Sequence, residues 1–499
     1  MTNDTPSSNI LYVVSEVVPF AKTGGLADVA SALPISLKSF GHDIRVFMPK
    51  YKTISERKFA LRDVIRLRDL EIPHKDGTVT VSIRAAFLPN SKVQIYFLDY
   101  PPYFDRDGLY GDPKTGKDYK DNAARFSLFA RSALEMLKKL HWQPEVIHCN
   151  DWQCGLIPIY LRTVYSNDDF YQNSRTLFTV HNFAYNGIFA LQMLKETGLN
   201  YDLNNDDNPL KFFDKISFLK GGLELADYIN TVSKTYAQEV LGNPELAAGM
   251  QDVLHKKSKR FVGILNGVNY DEWDPEIDPF LHVNYSSRSI DKKKENKNIL
   301  CEKVGLKYDP SIPIIGMVSR LVHQKGFDLI IDAIPDIVNL GVYFIILGQG
   351  VLGFENKLKK LQKKYPEQLV VKIELNNSLA HLIEAGADMF LMPSYFEPCG
   401  LNQLYSMKYG TIPIVRKTGG LADTVFDYSN DNKKGTGFVF TEYNSNAMLD
   451  AVKDAIDLYK NYPSSWKKLA VRSMKKDFSW DISCKKYNRL YQKLIDTKR

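Results

Sequence analysis

The heptapeptide KTGGLAD occurs twice in this 499-residue chain, at residues 22–28 and again at residues 417–423. Each copy follows an apolar run that is typical of a strand and opens a segment with helical periodicity. Two glycines at such a turn let the backbone approach a ligand closely, and the N-terminus of a helix attracts an anion. The repeat therefore predicts binding of a phosphate-bearing ligand, with a simple tight turn as the alternative.

Other polar residues with suitable chemistry also lie at the ends of predicted strands. Arg320 and Lys325 follow an apolar run in the second half of the chain, and Asp151 and His181 end two such runs in the first half. Ligands of parallel α/β sheets bind beyond the carboxyl ends of the strands. Arginine offers a planar fork to a phosphate group and lysine a point charge, so Arg320 and Lys325 are predicted to contact phosphate.

Two further motifs have familiar chemistry in an unsuitable setting. Gly348, Gly350 and Gly353 match the GxGxxG of dinucleotide-binding loops, but the strand before them is the first of neither predicted domain. A loop near a nucleotide is favoured there over an NAD site. Asp105 and Asp107 form a DxD, which binds a metal in some transferases, but the surrounding Pro- and Tyr-rich loop favours ordinary polar surface. We expect no metal and no cofactor.

The elements that must position these residues form two sets. Short apolar, β-branched runs alternate with helical patterns, which is typical of buried parallel sheets. They lie at 10–14, 44–48, 93–98, 146–149, 176–180 and 228–232, and at 312–318, 342–347, 369–373, 389–392 and 412–415. The polar stretch 251–260 separates the sets. We predict an α/β fold with domains at 1–255 and 262–479 and a terminal helix at 480–499 that packs back on the first domain.

The composition argues against several classes of protein. The net charge of +7 suits an anionic ligand but is too diffuse to indicate nucleic acid. No 18-residue apolar stretch is present, so we expect no membrane span. The five cysteines are odd in number and form no CxxC pair, and the N-terminus does not read as a signal peptide. A cytoplasmic protein is predicted.

The longest motifs give the chain a specific resemblance. Beside KTGGLAD these are HNFAYNGIF at 181–189, ISFLKGGLELAD at 216–227, GILNGVNYDEWDP at 263–275, VSRLVHQKG at 318–326 and MPSYFEPCGLNQLYSMKYGTIPIVRKTGGLADTV at 392–425. Over nearly its whole length the chain resembles bacterial glycogen synthases and plant starch synthases. Gln153, Asn186 and Lys234 stand where that family often has His, Gln and Pro, and none of the three is expected to do chemistry.

The resemblance implies a GT-B glycosyltransferase, in which two Rossmann-like domains face each other across a cleft. It implies a retaining transfer of glucose from ADP-glucose to the 4-hydroxyl at the non-reducing end of an α-1,4-glucan such as glycogen, without a metal. UDP-glucose remains an alternative donor. A phosphorylase with pyridoxal phosphate, a small-acceptor transferase and a non-catalytic glucan-binding protein are the rival classes.

The resemblance also assigns roles to residues. Arg320 and Lys325 stabilise the leaving diphosphate, Glu397 bonds the donor glucose, His181 lies beside the reacting sugar and Asp151 lies near the acceptor. Lys22 reaches the donor from the first domain, whereas its counterpart Lys417 has no assigned role. The other expected ligand contacts are Gly24, Gly25, Tyr110, Asn182, Asn266, Cys399, Gly400, Thr418, Gly419 and Gly420.

Two mechanisms account for retention. A covalent glycosyl-enzyme needs a carboxylate nucleophile, for which Asp151 and Glu397 are the available groups. In front-face substitution the departing phosphate itself accepts the proton of the acceptor hydroxyl. The second mechanism is favoured, because cationic clamps without a dedicated base suit it.

Overall fold

The computed structural model describes residues 7–75, 77–202, 205, 207–429 and 431–497. The chain divides into two compact units, which we call unit 1 and unit 2. Unit 1 lies within Met1–Val232, Ala237–Gly267 and Trp480–Arg499, and unit 2 comprises Ser233–Tyr236 and Val268–Ser479.

Unit 1 is built on a sheet whose long middle part is parallel. Its central strands are continuous apolar runs, such as NILYV, that are buried on both faces. Among the described residues the strand order is β13-β12-β8-β7-β1-β2-β6-β5-β3, with β4 paired to β5, while β9, β10 and β11 form a small antiparallel sheet. The strands are β1 Asn9–Val13, β2 Asp43–Pro49, β3 Arg62–Asp63, β4 Leu70–His74, β5 Gly77–Phe87, β6 Gln94–Asp99, β7 Val146–Asn150, β8 Arg175–Val180, β9 Ile188–Ala190, β10 Lys211–Phe212, β11 Lys215–Ser217, β12 Tyr228–Thr231 and β13 Phe261–Gly263.

The helices in this part of the chain connect the strands as crossovers. They are α1 Gly25–Ser39, α2 Glu56–Phe59, α3 Pro101–Phe104, α4 Asn122–Leu140, α5 Leu156–Arg162, α6 Phe218–Leu225, α7 Lys234–Gly242, α8 Pro244–Ala247 and α9 Gln251–Lys256. The sequence places the start of the second domain at residue 262, but β13 pairs in parallel with β12 and closes the sheet of unit 1. The sequence suggests a domain start at the run FVG because the polar segment before it resembles a linker. In the structure that segment is helical, so the chain continues within unit 1.

Unit 2 contains a fully parallel six-stranded sheet in the order β16-β15-β14-β17-β18-β19. Its strands are β14 Ile314–Val318, β15 Tyr343–Leu347, β16 Leu369–Lys372, β17 Met389–Met392, β18 Ile412–Arg416 and β19 Phe438–Phe440. Side chains on β14 and β15 alternate between two apolar clusters, with Ile315 and Phe344 in one and Ile314 and Ile345 in the other. Both faces of the sheet are therefore covered, as in a Rossmann-like domain.

The helices that cover this sheet are α10 Lys293–Val304, α11 Phe327–Asn339, α12 Leu352–Lys364, α13 Asn377–Gly386, α14 Asn402–Lys408, α15 Gly419–Thr424, α16 Ser445–Asn461 and α17 Pro463–Met474. The last helix, α18 Trp480–Asp496, belongs to unit 1. Its Tyr491 hydroxyl lies 2.8 Å from Nδ1 of His148 on β7, and its Tyr487 hydroxyl accepts a hydrogen bond from Asn230 on β12. In the part of the chain that is described, no helix combines the length and the apolar character needed to cross a bilayer.

Candidate active site

Asp151 in unit 1 directly follows β7 and has an unusual backbone conformation. Its φ of 57° and ψ of −179° lie in a region that is normally reserved for glycine. The strained backbone is held in place because the Asp151 N–H donates to the Thr179 carbonyl at 2.9 Å and the Oδ1 atom accepts from the His181 N–H at 2.7 Å. Strain of this kind clusters at functional sites, and here it fixes a carboxyl group at the carboxyl edge of the sheet.

The surroundings of Asp151 favour its protonated form. Burial raises the pKa of the Asp151 carboxyl to about 7, the nearby Glu16 carboxylate raises it as well, and the amides of His181 and Asn182 act in the opposite direction. Near neutral pH the group is therefore divided between its acid and its carboxylate form, so it can either donate or accept a proton.

His181 at the end of β8 is a neutral imidazole. Burial lowers the pKa of its ring to about 3. Its Nε2 lies 3.0 Å from Oδ1 of Asn150, whose Nδ2 donates to the Val13 carbonyl. Because that Oδ1 can only accept, Nε2 of His181 carries the proton and Nδ1 is the basic nitrogen. The one ring N–H is thus taken by Asn150, and the ring can accept a hydrogen bond from a substrate hydroxyl through Nδ1 but offers no positive charge.

The first heptapeptide is anchored by Glu16, a residue for which the sequence gives no motif. The carboxylate of Glu16 is 3% exposed and accepts from the Thr23 N–H, the Thr23 hydroxyl at 2.6 Å and the Gly24 N–H at 3.3 Å. The Tyr110 hydroxyl donates to the same carboxylate at 2.7 Å and accepts from Ser15. Tyr110 therefore joins the group that holds this loop.

The remaining site candidates of unit 1 lie around this loop or at later strand ends. Lys22 is exposed and forms a 2.7 Å ion pair with Asp28 of the same heptapeptide, and Gly25 is the first residue of α1. The side chain of Asn182 accepts from the Ala184 N–H. Asn266 is 5% exposed, and its Oδ1 has no hydrogen-bond partner in the described chain. A buried carbonyl oxygen of this kind is available to a ligand donor.

Lys325 and Glu397 meet in unit 2. The Lys325 Nζ lies 2.5 Å from Oε2 of Glu397, and this oxygen also accepts from the Ser394 hydroxyl at 3.0 Å. Gly326, which has a φ of 77°, makes the meeting possible, since a Cβ there would lie 2.2 Å from the Pro393 carbonyl oxygen. Lysine and carboxylate are both largely buried, so the pair forms a fixed polar centre at the ends of β14 and β17.

Arg320 is exposed at the end of β14. The nearby GxGxxG loop has a structural explanation, because a Cβ at Gly348 would lie 1.8 Å from the Ser319 carbonyl oxygen and one at Gly350 would lie 2.3 Å from that of Leu321. These glycines thus allow the loops after β14 and β15 to pack closely. In the DxD motif, Asp107 forms an exposed ion pair with Lys52. The described residues contain no cluster suited to a metal.

The Thr-Gly-Gly part of the second heptapeptide, residues 418–420, is buried, unlike that of the first. A Cβ at Gly419 would lie 1.9 Å from the Glu397 carbonyl oxygen, and one at Gly420 would lie 1.9 Å from that of Cys399. The Gly420 N–H donates to the Glu397 carbonyl at 3.0 Å, so this amide already has a protein acceptor. Both glycines pack against the loop that carries Glu397, and the ligand contacts expected of them stay a prediction.

The other predicted contacts of unit 2 lie beside this packing. Thr418 and Cys399 are buried, and Gly400 has a φ of 71° and packs on the side chain of Gln403. Lys417 is exposed. In place of the Lys22–Asp28 pair of the first copy, Asp423 accepts from the backbone and the hydroxyl of Thr235.

Comparison with protein-family models matches both halves of the chain. Residues 9–256 match the starch synthase catalytic domain, and residues 303–471 match the glycosyl transferases group 1. Among curated proteins, a glycogen synthase of Syntrophotalea carbinolica is 43% identical over 98% of this chain and 99% of its own length. A glycogen synthase of Thermosipho melanesiensis is 44% identical over 97% of this chain and 99% of its own.

Solved structures agree with these matches. The catalytic domain of starch synthase IV from Arabidopsis thaliana, bound to ADP and acarbose, is similar with a TM-score of 0.90 and 32% identity, over 99% of this chain and all of that one. A sucrose-phosphate synthase from Thermosynechococcus elongatus has a TM-score of 0.58 at 17% identity, covering 98% of this chain and 99% of its own, and shares the fold.

Proposed function

The chain belongs to the family of glycogen and starch synthases, and from that premise we propose that it transfers glucose from ADP-glucose to the non-reducing end 4-hydroxyl of an α-1,4-glucan, with retention of configuration. The family, the glycosyltransferase class and the α/β fold of GT-B type predicted from the motifs are confirmed. A nucleotide-sugar and a glucan are the substrates of this family. The starch synthase IV structure, which holds ADP, supports an adenine nucleotide as the donor.

The observation that carries the proposal is the buried Lys325–Glu397 pair at the carboxyl ends of β14 and β17. Negative charge builds on the diphosphate as the bond to the anomeric carbon breaks, and fixed cations stabilise it without reorganisation. We assign this role to Lys325 and Arg320. Glu397, held by Lys325 and Ser394, would orient hydroxyl groups of the donor glucose.

In unit 1 the strand-end groups would act on the reacting sugar and the acceptor. His181 is neutral and donates its one ring N–H to Asn150, so its role would be to accept a hydrogen bond from a sugar hydroxyl through Nδ1 and not to stabilise charge. Asp151, with its pKa of about 7, would exchange a proton or a hydrogen bond with the acceptor hydroxyl. Lys22 would contact the phosphates or the sugar of the donor once it exchanges Asp28 for them.

The protonation of these groups supports front-face substitution over a covalent intermediate. A carboxylate nucleophile must be ionised, but burial keeps much of Asp151 protonated at neutral pH, and Glu397 is engaged by a lysine at 2.5 Å. A glucosyl adduct trapped on either carboxylate and located by mass spectrometry would overturn this preference.

All five cysteines are buried and none forms a disulfide, which supports a reducing compartment, and we propose a cytoplasmic location. This proposal is tested by fractionating the source cells and probing for the chain. Its recovery outside the cytoplasmic fraction would contradict it.

The direct test of the activity compares labelled ADP-glucose and UDP-glucose with glycogen as the acceptor. We expect incorporation from ADP-glucose into α-1,4-linked product, identified by digestion with an α-1,4-specific hydrolase. Lys325→Ala and Arg320→Ala should mainly lower kcat, since the charge they balance develops in the transition state. Lack of transfer from both donors would refute the proposal, and a pure rise in KM would refute the leaving-group role.

A further inference from the structure

A strongly basic groove of about 710 Å³ runs along α17, apart from the candidate active site. None of the active-site candidates lines it. Its walls contain five cationic side chains and no acidic one, and they are formed by Ser464, Lys467, Lys468, Val471, Arg472, Lys475 and Lys476.

The spacing of these residues gathers positive charge on one face of the helix. Lys468 and Arg472 are four residues apart on α17, and Lys475, which caps the end of this helix in helical conformation, lies three residues further on, so the three side chains follow one face. Like charges at this spacing repel and cost stability. In the described part of the chain Lys467 is paired with Asp291 at 2.6 Å, while Lys468 and Lys475 have no carboxylate within ion-pair distance.

Arg472 distinguishes this groove from an ordinary solvated basic surface. Its Nε donates to the Gly435 carbonyl oxygen, which fixes the guanidinium group. Its Nη2 is buried and has no hydrogen-bond partner within the described residues. Arg472 also lines the groove, so its fixed guanidinium group presents positive charge to an anion bound there.

An aromatic cavity of about 730 Å³ adjoins the groove and shares Ser464 and Lys467 with it. It lies at the amino ends of the strands of unit 2, beside Asp388 and Gly341, whereas Lys325 and Glu397 lie at the carboxyl ends. Three aromatic side chains line it, and two of them meet edge to face at 5.3 Å; the three are Tyr308, Tyr459 and Trp466. The combination offers charge to a phosphate and an apolar surface to an organic group.

We propose that the basic groove binds the phosphate of a small organic phosphate, such as a nucleotide or a sugar phosphate, whose organic part enters the adjoining aromatic cavity. Lys468, Lys475 and Arg472 contact the phosphate oxygens, and Trp466 contacts the organic part. The bound anion relieves the repulsion among the cationic side chains along α17.

The test compares matched charge variants by equilibrium dialysis with labelled AMP and labelled glucose 6-phosphate. Lys468→Gln/Lys475→Gln removes two groove charges, and Lys359→Gln/Lys363→Gln removes two exposed lysines from α12. The wild-type chain and the α12 variant should bind one more equivalent of ligand than the groove variant, whose affinity for that equivalent falls about tenfold or more. Because the comparison is between variants, binding at the donor site cancels, and the assay does not depend on glucosyl transfer.

Preference for AMP assigns a nucleotide, and preference for glucose 6-phosphate assigns a sugar phosphate. Trp466→Leu should weaken the binding of the preferred organic ligand but not the binding of inorganic phosphate. This difference distinguishes the contribution of the cavity from that of the groove. Equal binding by the two lysine variants, no extra equivalent in the wild type, inorganic phosphate binding as tightly as both organic ligands, or binding of duplex DNA alone would each overturn the proposal.

Discussion

Replacement of Glu16 tests whether the first heptapeptide works as an anchored loop. The carboxylate receives four hydrogen bonds, from the backbone and hydroxyl of Thr23, the backbone of Gly24 and the hydroxyl of Tyr110. Hydrogen bonds to a charged group contribute about 1.5–3 kcal/mol each when buried. Since Thr23 is exposed, we count about half of the four and expect Glu16→Ala to cost about 3 kcal/mol of loop order.

The isosteric variant Glu16→Gln should lose less loop order than Glu16→Ala, because the four donors divide evenly between the two carboxylate oxygens. The two backbone N–H groups point to Oε2, and the two hydroxyls bond Oε1. A glutamine can present its oxygen to the backbone donors and its amide nitrogen to the hydroxyls, which turn to accept. The loop should keep its shape with weaker bonds.

The assay is steady-state glucosyl transfer together with thermal unfolding. We expect kcat to fall about a hundredfold in Glu16→Ala and about tenfold in Glu16→Gln, because about 1.4 kcal/mol of positioning energy corresponds to each factor of ten. The Tm of both variants should stay close to that of the wild type, since the loop is at the surface. The reasoning is refuted if Glu16→Ala keeps wild-type kcat, or if both variants lose activity only in proportion to the fraction unfolded.

Three further predictions concern the repeat and the strand-end acid. Gly420→Ala should destabilise the fold by about 3 kcal/mol or more, because its Cβ would lie 1.9 Å from a carbonyl oxygen, whereas Gly24→Ala, which meets nothing within 4 Å, should unfold at the same denaturant midpoint as the wild type. Lys22→Ala should cripple transfer while Lys417→Ala leaves kcat intact, and equal losses would contradict the asymmetry between the copies. The raised pKa of Asp151 means that the unfolded state ionises this group above about pH 4, but the folded state ionises it only near pH 7. The contribution of Asp151 to the free energy of unfolding therefore falls as pH rises from 4 to 7. The Tm of the wild type should fall relative to that of Asp151→Asn across that window, and a pH-independent difference in Tm would contradict the raised pKa.

The strands that position the site could be predicted because they are continuous apolar runs. Each of the eleven runs named from the sequence coincides with a strand of the two large sheets, from β1 to β18. The antiparallel edge of unit 1 was missed, since β5 alternates exposed and buried positions and pairs with strands of two to six residues. Polar side chains at the ends of parallel strands, such as Asp151 and His181, were predictable for the same reason as the strands themselves.

Residues whose role depends on a distant partner could not be predicted in this way. Glu16 lies six residues before the heptapeptide in a segment without a motif, and only the folded loop brings its carboxylate to the Thr23 amide. The acidity of Asp151 likewise depends on burial and on Glu16, neither of which a strand pattern contains.

The two copies of KTGGLAD show that a short sequence does not determine its own role. In the first copy Gly24 faces open space, Lys22 is exposed, and the loop is tied down from outside by the carboxylate of Glu16. In the second copy both glycines press against carbonyl oxygens of residues 397 and 399, and the loop itself becomes the support for Glu397. The first loop thus leaves its lysine exposed, and the second supports the loop that carries Glu397. The same seven residues therefore have different surroundings in the two copies. Whether another segment packs against the glycines decides whether the turn is open to solvent or serves as a support for that segment.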